Sequence, residues 1–138
     1  MLNELIIQLY NPTSFQNNVL PNLRKLTLVA SDYQRNKLTT LSSNNSIPNL
    51  QYLNVQNNSL NNLAELLKTF PMLQEADLTA NNFTSAIQLN HSTLNQLRLD
   101  LGQLNSFSNN NFPGLKYLHI NGNTDLTTFQ NNQLPALI

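Results

Sequence analysis

Large apolar residues, mostly leucine, recur along this chain in a fixed pattern. Six segments align on L-x-x-L-x-L-x-x-N-x-L, with Ala, Val or Ile in place of an individual Leu. They begin at Leu2, Leu23, Leu50, Leu73, Leu94 and Leu115, and a partial copy begins at Leu137. Successive starts are 21, 27, 23, 21, 21 and 22 residues apart. A period of about 20–50 residues is typical of solenoids and related repeat architectures.

The centre of each copy, L-x-L, predicts a short β-strand, because alternate residues of a strand point to opposite faces and only one face is apolar here. A strand of about three residues cannot bury its own apolar face, so successive copies are expected to stack. Stacking produces a parallel sheet with strands about 4.8 Å apart.

The Asn of the pattern lies just beyond the predicted strand, where the chain must turn. An Asn side chain carries both a donor and an acceptor, so it can satisfy backbone groups of the turn that would otherwise be buried unpaired. We expect Asn58, Asn81 and Asn123 to form a structural ladder of this kind. The other copies have Tyr10, Ser31 and Gly102 at this place.

The segments between the copies repeat a second phrase. It reads FQNNVLPNL at 15–23, FSNNNFPGL at 107–115 and FQNNQLPALI at 129–138. Paired Asn tolerates turn and left-handed conformations, and Pro redirects the chain, so these segments are predicted to be turn-rich. Residues 60–70, LNNLAELLKTF, have helical spacing and predict one short helix that ends at Pro71.

Over essentially its whole length the chain resembles the leucine-rich-repeat family, with short repeats of the 21–24-residue kind. The resemblance implies a single domain over residues 1–138 with an α/β solenoid fold. Its form would be a right-handed horseshoe with a parallel β-sheet on the concave face and turns, short helices or 3-10 segments on the convex face. A solenoid also needs polar terminal units. None is apparent in the sequence, so we expect flanking repeats or caps in a longer array.

Amino-acid composition bears on which classes of partner and which compartment are expected. Seven basic and seven acidic residues give a net charge of zero, which argues against nucleic acid as the partner. No apolar run approaches the ~18 residues of a membrane span, and the N-terminal stretch lacks the features of a signal peptide. Only 10% of residues are charged, and Asn and Gln supply much of the polarity. This weighs slightly toward a secreted or cell-surface protein over a cytoplasmic one, whereas the absence of cysteine fits a bacterial or cytosolic protein or an internal piece of a longer array.

The outward positions of the predicted strands supply the candidate site, since the resemblance implies that partners bind on the concave face. The middle column reads Ile6, Thr27, Asn54, Asp77, Arg98 and His119, the preceding column Glu4, Lys25, Tyr52, Glu75, Gln96 and Tyr117, and the following column Gln8, Val29, Gln56, Thr79, Asp100 and Asn121. Tyrosine is enriched at protein–protein interfaces, so exposed tyrosines indicate a candidate binding surface. The candidate ligand-binding residues are Tyr52, Asn54, Glu75, Asp77, Arg98, Asp100, Tyr117 and His119.

The sequence favours a non-enzymatic module that binds a protein or peptide, with a glycan as the second ligand class. No Ser stands beside His119 as a nucleophile, and no glycine-rich phosphate loop occurs, so neither catalysis nor a cofactor is expected. His119 and Asp100 alone do not make a metal signature. Two alternatives remain: a structural segment with no ligand of its own, whose exposed charges would pair with each other for little energy, or the targeting part of a larger protein such as a secreted effector or a surface receptor.

Overall fold

The computed structural model describes residues 1–9, 13–30, 38–42 and 44–138. Its architecture is a parallel β-solenoid of stacked coils, with one six-stranded and one three-stranded sheet. In chain order the elements are β1 (Glu4–Leu9), β2 (Lys25–Ala30), β3 (Tyr52–Asn54), α1 (Leu63–Thr69), β4 (Glu75–Asp77), β5 (Ser85–Ile87), β6 (Gln96–Arg98), β7 (Ser106–Ser108), β8 (Tyr117–His119) and β9 (Thr128–Gln130).

The six-stranded sheet follows the repeat pattern directly. Its order is β1-β2-β3-β4-β6-β8, and every pairing is parallel. Each of these strands starts two residues after a repeat start, as Tyr52 does after Leu50. The central residues Leu53, Ala76 and Leu97 are buried, as the alternation predicts.

A second sheet lies where the sequence predicted turns. Strands β5, β7 and β9 pair in parallel as a three-stranded sheet. Their sequences SAI, SFS and TFQ alternate with a period of two, which places Ala86 and Phe107 fully inside the core. Phe129 stacks on Phe107 with ring centroids 5.4 Å apart. The prediction of turns was therefore wrong where β7 and β9 extend into segments 107–115 and 129–138, because pairing with neighbouring coils makes a short alternating stretch a strand.

The short helix was predicted correctly. Its N-cap is Asn62, whose side-chain oxygen accepts a hydrogen bond from the backbone N–H of Glu65 at 3.0 Å. Leu63, Leu66 and Leu67 form its buried stripe, and Phe70, directly before Pro71, is its C-cap. In the described part of the chain α1 is the only helix, so repeated helices on the convex side are not confirmed.

One asparagine ladder stands at the end of the six-stranded sheet. Asn81 donates through Nδ2 to the carbonyl of Leu78 at 3.0 Å and, in the preceding coil, to that of Val55 at 2.9 Å. Its Oδ1 accepts the N–H of Leu60 at 3.0 Å. Asn58 and Asn123 donate to the carbonyls of their own and the preceding coil in the same way. Of the other ladder positions, Tyr10 and Ser31 lie outside the described residues.

A second asparagine ladder, which the sequence did not reveal, joins the other corners of the coils. The second Asn of a pair turns inward: Asn110 donates to the carbonyl of Ala86 at 2.8 Å, and Asn132 to that of Phe107 at 3.0 Å. The first Asn of each pair instead adopts positive φ, at Asn17, Asn44, Asn109 and Asn131. In such a pair the first Asn forms the left-handed turn, and the second makes the buried hydrogen bond.

Candidate functional site

The outward side chains of the six-stranded sheet, here called the sheet face, form the predicted columns. Tyr52 pairs with Glu75, Glu75 with Gln96, and Gln96 with Tyr117. The middle column has the same register and runs from Asn54 through Asp77 and Arg98 to His119. The sequence therefore predicted the neighbours on this face, and adjacent residues of a column lie about one strand spacing, ~4.8 Å, apart.

Two carboxylates of the sheet face are held by neighbouring groups. Asp77 accepts the Gln56 side-chain N–H through Oδ2 at 2.7 Å and the Thr79 backbone N–H through Oδ1 at 3.2 Å. Asp100 accepts the backbone N–H of Asn121 through Oδ1 at 2.7 Å. These bonds fix the orientation of both carboxylates on the sheet face.

Arg98 is only loosely paired. Its Nε lies 3.9 Å from Oδ2 of Asp100, too far for a hydrogen bond, and that Nε has no hydrogen-bond partner. The side chain is 41% exposed. A guanidinium group carries five N–H donors in a planar fork. Nε is buried, so the donors that Arg98 retains for another molecule are those of its two Nη groups, which bond to no described residue.

Three further candidates present free groups. No hydrogen bond or ion pair within the described part of the chain involves the Glu75 carboxylate, which is exposed. Tyr117 is 48% exposed and Tyr52 is partly buried. Neither tyrosine hydroxyl is hydrogen-bonded to another described residue. These side chains flank the held carboxylates and can contact a ligand without first breaking an internal bond.

The middle column does not form a proton relay. No hydrogen bond connects Asp77, Arg98 and His119 among the described residues, although the three are neighbours in register. The described residues also contain no group of three or more His, Cys, Asp or Glu side chains that could hold a metal ion. What the described residues of the sheet face present is charge, hydrogen-bonding groups and aromatic surface.

A cleft of about 380 Å³ lies away from the sheet face, between α1 and the segment after β5. His91 lines it together with Lys68, Pro71 and Ser92, among others. Its Nε2 is 2.9 Å from the carbonyl oxygen of Phe70, which only accepts, so Nε2 carries the proton. Nδ1 is buried and has no partner. Because Nδ1 has almost no accessible surface, we place the candidate site on the sheet face and not in this cleft.

Comparisons of the chain with protein-family models, with curated proteins and with solved structures find no match. Among the described residues, no helix has both the length and the apolar character needed to cross a lipid bilayer.

Proposed function

We propose that this chain is a leucine-rich-repeat protein that binds a protein or peptide on the sheet face and catalyses no reaction. The family assignment is supported by the six copies of the repeat pattern and by the parallel strand that each copy contributes. The Asn side chains at the strand ends, which bond to the backbone of two coils, add to this support.

One observation carries the binding proposal: Tyr52, Glu75 and Tyr117 present unpaired groups in one column of a sheet whose backbone is fixed by parallel pairing. Because the strands are already ordered, a partner that docks here loses only its own freedom and that of a few side chains. Tyrosine offers a large apolar body with a polar tip, which suits a contact surface that is wet before binding.

The alternative is a structural or targeting segment with no ligand of its own. It is favoured by the internal pairing of Asp77 with Gln56 and Thr79 and of Asp100 with Asn121, because a face that satisfies its own charges needs no partner. On that alternative the two tyrosines would contribute only solvent-exposed surface.

Selection of peptides from a random phage-display library on the immobilised 138-residue chain distinguishes the binding proposal from the structural alternative. Under the binding proposal, peptides are recovered, and the double variant Tyr52→Ala/Tyr117→Ala weakens their binding by about 2 kcal/mol or more, as expected for hot-spot aromatics. The matched control Ser85→Ala/Ile87→Ala alters exposed positions of the three-stranded sheet and should leave binding unchanged. An empty selection, or binding that survives loss of both tyrosines, would reject the proposal.

A further inference from the structure

The sheet face is acidic although the chain as a whole is neutral. Its outward positions carry Glu4, Glu75, Asp77 and Asp100 against Lys25 and Arg98, a net charge of −2 on a chain with seven charges of each sign. The excess is concentrated on neighbouring strands, since Glu75 and Asp77 belong to β4 and Asp100 follows β6. A partner of opposite charge is therefore attracted to this part of the face.

The positive charge of Arg98 is already included in this net charge of −2. Its Nε is buried 3.9 Å from Oδ2 of Asp100, whereas its two Nη groups make no hydrogen bond with the described residues. The free N–H donors of a guanidinium group suit carbonyl oxygens as well as carboxylates. An extended peptide presents unpaired backbone carbonyls along its length, so Arg98 can bind the main chain of a partner while the acidic groups bind its side chains.

The tyrosines add a second feature that favours a cation. Tyr52 lies directly beside Glu75 in register, and Tyr117 lies two strands further on. A Lys or Arg side chain placed over a tyrosine ring is attracted to the ring face, and the adjacent carboxylate adds a charge-assisted hydrogen bond. Tyr52 and Tyr117 are three strand spacings apart, roughly 14 Å, which equals about four residues of extended peptide.

We infer that the partner is an extended, basic peptide segment that crosses the strands of the sheet face. Its Lys or Arg side chains lie against Tyr52, Glu75 and Tyr117, and its carbonyls receive donors from Arg98. Residues two apart in an extended chain point to the same side and are about 7 Å from each other, so the basic residues occupy alternate positions. This inference rests on the proposed function, because it names the chemistry of the partner for the same face.

The test uses the peptides recovered from the random library. We expect Lys and Arg to be enriched at alternate positions. Glu75→Gln, which keeps the shape and removes the charge, should weaken binding of a recovered peptide roughly tenfold. Asp125→Asn makes the same charge change at an exposed position off the sheet face and is the matched control, with no change expected. Binding should also weaken as salt is raised from about 0.05 to 0.5 M.

The outcomes separate the two proposals. Peptides without basic enrichment, or a Glu75→Gln variant that binds like the parent while Tyr52→Ala/Tyr117→Ala does not, would overturn the basic partner and leave the binding function standing. Equal loss in Glu75→Gln and Asp125→Asn would show attraction by net charge alone and would also overturn it. Failure to recover any peptide, or binding indifferent to the tyrosines, would overturn the function and this inference with it.

Discussion

The side-chain Nδ2 of Asn110 donates a hydrogen bond to Oδ1 of Asn132 at 3.0 Å, joining two successive coils. The same Nδ2 donates to the carbonyl of Ala86 in the preceding coil at 2.8 Å, and Oδ1 accepts the N–H of Leu89 at 2.9 Å. One buried side chain thereby connects three coils. These backbone groups are buried and cannot bond to water, so the Asn110 side chain supplies their hydrogen bonds.

Replacement of Asn110 by Ala should lower the free energy of unfolding by about 1–3 kcal/mol, because the buried N–H of Leu89 loses its acceptor. Urea denaturation followed by circular dichroism measures this. Asn105→Ala is the control, since Asn105 is exposed and its change should stay within about 0.5 kcal/mol. Equal effects of the two substitutions would contradict a special role for the second ladder.

Leu101 is a position where a substitution is expected to raise the free energy of unfolding. It has φ of 54° and is 61% exposed, so a branched apolar residue occupies a left-handed corner where the adjacent coils have Ala80 and Gly122 and an earlier coil has Asn57. Leu101→Asn should increase the free energy of unfolding by about 0.5–1 kcal/mol, because Asn adopts this conformation more readily.

The matched control for that substitution is Met72→Asn. Met72 is also a large exposed apolar residue, 44% accessible, but it is not among the residues with positive φ. Thermal unfolding of both variants separates the effect of backbone conformation from that of surface polarity. A similar rise in melting temperature for both would attribute the gain to polarity.

His91 is a second position where the native residue is not the most stable choice. It occupies the place that Phe70 and Phe112 hold in the neighbouring coils, and its buried Nδ1 has no partner. His91→Phe should stabilise the fold by about 1 kcal/mol, because an unpaired buried polar atom is removed. The carbonyl of Phe70 keeps its bond from the N–H of Leu73 at 3.2 Å.

Chemical denaturation at neutral pH measures the effect of His91→Phe. The control His119→Phe replaces a histidine on the sheet face, where no buried polar atom is relieved, and should give no gain. A loss of more than about 1 kcal/mol in His91→Phe would mean that the ring is too large for the site.

How far the sequence predicted this molecule depends on the type of pattern. The repeat starts and the period of two predicted which residues are neighbours on the sheet face. They correctly placed Asp77 beside Arg98 on the adjacent strand. The second sheet was missed because SFS at 106–108 is only three residues long and adjoins the Asn pair, a turn signal. Neighbouring coils decided its conformation.

Identical residue types also limit prediction. Asn109 and Asn110 are adjacent and equally polar, yet Asn109 is exposed with positive φ and Asn110 is buried in the ladder. Similarly, sequence alone does not say that Gln56 bonds to Asp77 while Glu75 stays free, because that choice depends on side-chain geometry. The sequence predicted which residues are neighbours on the sheet face, but not which of their side-chain groups are bonded internally.

Gly102 stands where the repeat pattern calls for Asn, and the structure gives a reason. A Cβ at this position would lie 2.9 Å from Oδ1 of Asn123. That oxygen accepts the N–H of Leu104 at 2.9 Å, while Nδ2 of the same side chain donates to Leu99 and Ile120. Asn123 is therefore held on both ends and cannot move aside freely.

Gly102→Ala should consequently lower the free energy of unfolding by about 1–2 kcal/mol, the usual effect of a forced contact in a packed interior. A double-mutant cycle with Asn123→Ala identifies the cause, because removal of Oδ1 should abolish most of the penalty of Gly102→Ala. Gln103→Ala, at an exposed neighbouring position, should change stability little. If Gly102→Ala is equally harmful with and without Asn123, the glycine is required by the local backbone and not by the ladder.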